Sequence, residues 1–171
     1  MYPRDRMKPI LSVLMLVISI TSHAQTPLQF DQRAKEVAAK TPLTHRAVHQ
    51  LRNQAQWVRY DVTMSNVKWD VKKTDSLLNP VVAVVTADLT FTSTPPQPSA
   101  ELAEAAEARP PLDVDRIELN YAPSDTGWTW TSGRTALAVL KRWNPITPGE
   151  RNLPKDPEMR WLAEQFLPQP N

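Results

Sequence analysis

The sequence predicts an α+β fold, in which an N-terminal helical segment packs on a curled four-stranded antiparallel meander and a C-terminal helix closes the chain. Three observations carry this expectation. Phe30, Ala34 and Val37 recur at helical spacing near the start. From Trp57 the apolar period changes to two, and near the end Asp156-Pro157-Glu158 opens a second helical stripe of Met159, Leu162, Ala163 and Phe166.

The elements follow in order. Thr41-Pro42 interrupts the first helical stripe, with Thr as an N-cap and Pro at the first helical position of a second helix over 42–56. Its inner face would hold Leu43, Ala47, Val48, Leu51 and Ala55. In the strand that starts at Trp57, Val58, Tyr60, Val62 and Met64 alternate with polar residues. After Ser65-Asn66 the apolar set becomes Val67, Trp69 and Val71. The phase has slipped by one residue, which flips the faces unless a bulge absorbs it, so a bulge is expected at Ser65-Asn66.

A second strand runs from Val81 to Thr92, with Val81, Ala83, Val85, Ala87, Leu89 and Phe91 on one face. A third covers Val114 to Tyr121, and "APSDTG" turns it into a fourth that starts at Trp128 and continues past Gly133 to Leu140. Between the second and third strands, residues 93–112 form a Pro/Ala/Glu-rich insertion, expected as a flexible flap or a functional lid. Ser99 would cap a short helix within it. Residues 144–171 are a Pro-rich extension that ends in the capped helix. With 17 Pro, three Gly and no Cys, the chain has stiff connections and no disulfide or thiolate metal site.

Arg4, Arg6 and Lys8 precede the apolar run Ile10–Ile20, and small residues stand before Ala24-Gln25. This is the layout of a cleavable secretory signal over 1–24, with Met1 or Met7 as the start. The run is shorter than the about 20 residues a membrane helix needs, so no stable membrane insertion is expected after cleavage. Residues 1–24 hold three of the 20 Lys and Arg and one of the 18 Asp and Glu, which leaves the remainder formally neutral. A nucleic-acid partner therefore loses its electrostatic footprint. The expected location is the periplasm or the medium, as one domain over 25–171.

In Lys72-Lys73-Thr74-Asp75-Ser76, polar side chains suit a turn that accepts backbone N–H bonds, and Pro80 suits the first position of the next strand. Leu77 and Leu78 would be exposed at the hairpin tip and are candidate contacts for a partner. The run "DVKKTDSLLNP" resembles a D-V-x-K-T-D-S-L-x-x-P hairpin pattern of uncharacterised secreted bacterial proteins. The arrangement as a whole is similar to cystatin-like and NTF2-like folds, which implies inhibitors, adaptors, transport factors and small enzymes alike.

Other residues offer chemistry. His45 and His49, four apart on the expected second helix, would share a face, yet "HRAVH" lacks the Glu of the zinc-protease motif and has no third ligand nearby. No metal and no cofactor are expected. Asp113 and Asp115 share a strand face, short of the ligand count that calcium needs. Trp128 and Trp130 project together, either into the core or as a surface aromatic strip that binds a glycan or a protein.

There is no Gly-x-Ser-x-Gly elbow, Gly-rich phosphate loop or dinucleotide fingerprint. Asp61, Tyr60 and Asp88 are the available names for a carboxylate hydrolase, and Asp61 and Tyr60 should point to opposite faces. The leading expectation is a non-enzymatic envelope protein that binds another envelope protein through Leu77, Leu78, Trp128 or Trp130. The alternative is a pocket for a small molecule or cell-wall fragment, and after it a carboxylate-based hydrolase.

Overall fold

A computed structural model describes residues 27–52, 54–111, 114–125, 127–137 and 142–168. The signal-like leader and the Ala24-Gln25 junction lie outside the described residues, as does Asp113. The chain order is α1 (Pro27–Lys40), β1 (Leu43–Gln50), β2 (Trp57–Lys73), β3 (Val81–Ser93), α2 (Ala100–Ala105), β4 (Val114–Ser124), β5 (Gly127–Leu137), β6 (Arg142–Pro145) and α3 (Pro157–Glu164). The strands form one antiparallel sheet of six, in chain order from β1 to β6.

This corrects the four-stranded meander at both of its edges. The expected helix over 42–56 is instead strand β1, paired with β2 from Leu43↔Met64 to Gln50↔Trp57. Leu43 and Ala47 fit either period, whereas Val48 joins them only in a helix and stands on the opposite face of the strand, across from Arg59. The local pattern therefore favours the helix, and the decision for a strand comes from outside the segment. Without β1, the backbone groups along one side of residues 57–64 would have no ladder partner. Thr41 ends α1 by donating its hydroxyl to Ala38 O at 2.7 Å and does not cap a second helix. At the other edge, the expected fourth strand is described over Gly127–Leu137, its expected continuation to Leu140 lying outside the described residues, and Arg142–Pro145 pairs back on it from Leu137↔Arg142 to Arg134↔Pro145. A four-residue strand ending in Pro carries too little pattern to be read, and an edge is where Pro is tolerated.

The expected bulge is present. Ser65 pairs with Asp88 and Lys68 with Thr86, so Asn66 and Val67 stand opposite Ala87 alone. Asn66 takes the left-handed conformation at φ 51°, which Asn tolerates better than most residues. Its amide donates to Asp88 Oδ2 at 2.8 Å. Past the bulge, Trp69 and Val71 again pack on the same core as Val62 and Met64.

One face of the sheet, here the inner face, carries the core. Phe30, Ala34 and Val37 of α1 and Leu162, Ala163 and Phe166 at α3 are buried with Val62, Met64, Val85, Leu89, Ile117, Leu119 and Tyr121. Each such large apolar side chain contributes about 1.5–3 kcal/mol by leaving water. The Phe30 ring lies 5.2 Å from Tyr121 and 4.8 Å from Trp128. The Tyr121 hydroxyl donates to Ala163 O at 3.0 Å, which ties α3 to β4. Asp31 of α1 accepts from Trp69 Nε1 at 2.8 Å, and Arg33 Nε reaches Gln165 O at 2.8 Å, so the two helices are fastened to the sheet and to each other.

The insertion is attached to the sheet at several points. Trp57 and Gln97 exchange backbone bonds of 2.7 and 2.8 Å, and Arg109 N donates to Ser93 O at 2.8 Å. Ser99 caps α2 as read, accepting from Leu102 N, and Ala103 is buried against the opposite, outer face of the sheet.

Burial raises the Tyr121 phenol well above its ordinary range. The folded pKa is therefore the higher one, and stability is kept below the unfolded pKa of about 10 and lost as pH rises beyond it. Tyr121→Phe should cost about 1 kcal/mol at neutral pH through the lost hydrogen bond. In urea titrations the gap between the variant and the parent should narrow above pH 10, whereas a constant gap would contradict the role of the buried phenol.

Candidate functional site

The sequence-predicted site residues separate into three places. Leu77 and Leu78 are 99% and 90% exposed at the β2–β3 tip. Below them the Thr-Asp-Ser run is a bend: Thr74 Oγ1 accepts from Ser76 N at 3.3 Å, Ser76 Oγ accepts from Asn79 N at 3.2 Å, and Thr74 N donates to Pro80 O at 2.9 Å. Trp128 and Trp130 are only 4% and 2% exposed. They belong to the core cluster, with Phe30 of α1 packed on Trp128, and present no surface strip.

Asp61 and Asp88 lie on the outer face and are held by cations. Asp61 accepts a hydrogen bond from Arg46 Nε at 3.0 Å and forms an ion pair with Arg59, Nε standing 3.2 Å from Oδ2 without a hydrogen-bond geometry. Arg46 also reaches Glu104 of α2 at 3.1 Å, and the buried Arg59 donates to Glu104 O. This network clamps α2 to the sheet. Asp88 accepts from Asn66 and lies 3.6 Å from Arg116. Tyr60 faces inward, opposite to Asp61 as expected, so these residues form no common pocket.

His45 and His49 do share a face, but of a strand. Four residues along a strand are about 13 Å, too far for one metal ion. His45 stacks on Trp161 with ring centres 5.1 Å apart, and His49 Nε2 lies 3.1 Å from Glu158 Oε1. Both rings therefore dock α3 onto β1. Among the described residues no group of three or more His, Asp or Glu is placed to hold a metal ion. Asp115 pairs in register with Leu89.

The inner face contains the candidate site. At the end of the sheet where β4 begins, α1 no longer covers it, and a cleft of about 700 Å³ opens. Its floor is Tyr60 and Val62 of β2 with Phe91 of β3; Tyr60 and Phe91 are 38% and 37% exposed, unlike the residues behind them. One wall is His49 with Glu158. The other is Thr135, Pro145, Ile146 and Thr147, with Lys155, Asp156, Pro157 and Met159 as the lip.

The lip is built by a tight excursion of the chain. Ile146 N donates to Gly133 O at 2.8 Å, Lys155 N to Thr147 O at 2.9 Å, and Gly149 N to Leu153 O at 2.7 Å, around a 3-10 turn at Glu150–Asn152. A Cβ on Gly149 would stand 2.8 Å from Lys155 Cα, so only glycine lets the two arms approach this closely. Asp156 then caps α3, accepting from Met159 N at 3.1 Å, with Pro157 in the first turn.

The cleft thus offers aromatic and aliphatic walls with a few fixed polar groups, the usual composition of a small-molecule site, and its volume lies within the range of about 300–1,000 Å³ for such sites. Sequence reasoning named His49 and Tyr60 for other chemistry and assigned Phe91 to the apolar face of its strand. Glu158 is read from the sequence only as part of the start of the last helix, since it meets His49 across 109 residues of chain. The legible signal was that Tyr60, near the start of its strand, and Phe91, near the end of its own, are aromatics in phase with the buried stripes. The chain matches no known family model, no curated protein and no solved structure.

Asp156→Ala should cost about 1 kcal/mol by removing the cap of α3. Urea unfolding checks the magnitude, and faster hydrogen exchange at Met159 N checks the cause; unchanged exchange there would contradict the capping role.

Proposed function

We propose that this chain is a non-catalytic binding protein of the bacterial envelope, and that its site is the inner-face cleft. The ligand is a small molecule with an aromatic or aliphatic body that lies on Tyr60, Phe91 and Met159 and a hydrogen-bonding end that meets the His49–Glu158 pair. The observation that carries the reading is the half-exposure of two aromatics on the floor of a cleft whose lip is fixed by backbone hydrogen bonds. A preformed site of this kind binds without the cost of ordering its walls. The envelope location rests on the signal-like leader. A non-catalytic role is supported by the engagement of Asp61 and Asp88 with arginines on the far face, away from the cleft.

A screen of aromatic fragments bearing one polar end, read by methyl NMR, tests this. Hits should shift the Met159 and Ile146 methyls, and Phe91→Ala should weaken them about tenfold, near 1.4 kcal/mol. Hits that shift only methyls remote from the cleft, or that bind Phe91→Ala equally well, would overturn the assignment.

A second reading, contact with an envelope protein at the hairpin tip, is favoured by the near-complete exposure of Leu77 and Leu78. Two adjacent leucines held out on a hydrogen-bonded turn form a compact apolar contact. Leu77→Asp combined with Leu78→Asp should leave stability within about 0.5 kcal/mol and abolish crosslinks between the tip and its partner in the periplasm. Crosslinks unaffected by both changes would remove the tip as the contact.

A further inference from the structure

On the outer face of the sheet α2 packs against β1 and β2. Across the remaining strands the register sets two rows of side chains side by side. One row runs Asp88, Arg116, Ala136, Trp143; the next runs Lys68, Thr86, Glu118, Arg134. Together with the bulge residue Asn66 they border a groove of about 570 Å³, lined among others by Lys68, Asp88, Arg116, Glu118 and Trp143.

Three features of this groove point to one ligand chemistry. First, Trp143 is 40% exposed, unlike Trp128 and Trp130. Its ring is held by the Arg134 guanidinium, 4.5 Å from the ring centre, and Arg134 is not itself a lining residue. A fixed indole that borders the groove on the side away from Arg134 suits the apolar face of a pyranose ring. Second, the planar groups beside it are already oriented: Arg134 pairs with Glu118 at 2.7 Å, Arg116 with Asp88 at 3.6 Å, and Asn66 with Asp88 at 2.8 Å. A carboxylate has about four acceptor positions and a guanidinium five donors, so these pairs keep unused positions for vicinal hydroxyls. Third, the lining itself is balanced, Lys68 and Arg116 against Asp88 and Glu118, but both carboxylates are already engaged, by Arg116 and by Arg134 from behind the lining. Lys68, which forms no ion pair among the described residues, is the cation left to meet an anionic group.

We propose that this groove binds an acidic oligosaccharide, with a pyranose stacked on Trp143, its hydroxyls bonded to Asp88, Arg116 and Glu118, and a sugar carboxylate paired with Lys68. A nucleic-acid strand also stacks on tryptophan, but its regular phosphates would meet Asp88 and Glu118 with a single lysine to offset them. A sugar chain with sparse carboxylates avoids that repulsion. The assignment is independent of the inner-face cleft, which lies on the other side of the sheet.

Calorimetric titration of the purified protein with tetragalacturonic acid, and with maltotetraose as the neutral counterpart, tests it. The acidic sugar should bind at least about tenfold more tightly than the neutral one. Trp143→Ala should abolish binding of both with the melting temperature retained, and Lys68→Gln should reduce the acidic sugar to the affinity of the neutral one. Phe91→Ala, in the cleft, should leave both unchanged. Absence of binding to either sugar, equal affinity for the two, or binding that survives Trp143→Ala would each overturn the proposal, whatever the fragment screen of the cleft finds.

Discussion

The structure depends on one long strand keeping its register through a bulge. β2 runs from Trp57 to Lys73 and pairs with β1 on one side and β3 on the other. Its first half turns Val58, Val62 and Met64 inward, and after two residues opposite one it turns Trp69 and Val71 inward as well. Without Asn66 and Val67 in that arrangement, every side chain on one half would change faces, placing Trp69 in water and Lys68 in the core. Asn66 in the left-handed region, bonded to Asp88, holds the correction in place.

Both surfaces of interest derive from that strand. Upstream of the bulge, β2 carries Tyr60 and Val62 to the floor of the cleft on the inner face. At the bulge it turns Asn66 and Lys68 toward the outer groove. The division between filled core and open cleft follows from how much of the inner face two short helices can cover. α1 and α3 meet through Arg33 and Gln165 over Tyr121 and Phe166, where burial and the Tyr121 hydrogen bond act together. The corner beyond Phe91 is left to an irregular segment, and proline and backbone bonds give that segment a fixed shape.

Much of the scaffold is legible in the sequence because each element carries a local reason. The period of two in β2, β3 and β4, the slip at Ser65-Asn66, Ser99 before α2 and Asp156-Pro157 before α3 each need only a few adjacent residues to be understood. β1 is different. In Leu43–Gln50 the apolar residues Leu43, Ala47 and Val48 make a better helix stripe than an alternating strand, and the pairing demand of β2 overrides that local pattern from outside. β6 is four residues long and below any period. The cleft was hidden for a related reason, since His49, Phe91, Ile146 and Glu158 come from four separated stretches that only the sheet and the α3 docking bring together. The tryptophans show the same limit: sequence alternation placed Trp128 and Trp130 on one face, whereas which tryptophan remains exposed depended on where the helices lie.

The most direct measurement of the central claim, that the inner-face cleft is a preformed ligand site, is native mass spectrometry of the protein purified gently from its own cell. The account predicts a discrete small-molecule adduct on the parent protein, absent from a folded variant carrying Tyr60→Ala and Phe91→Ala. An adduct retained by that variant, or a parent protein that carries none while the cleft also stays empty in the fragment screen, would contradict it.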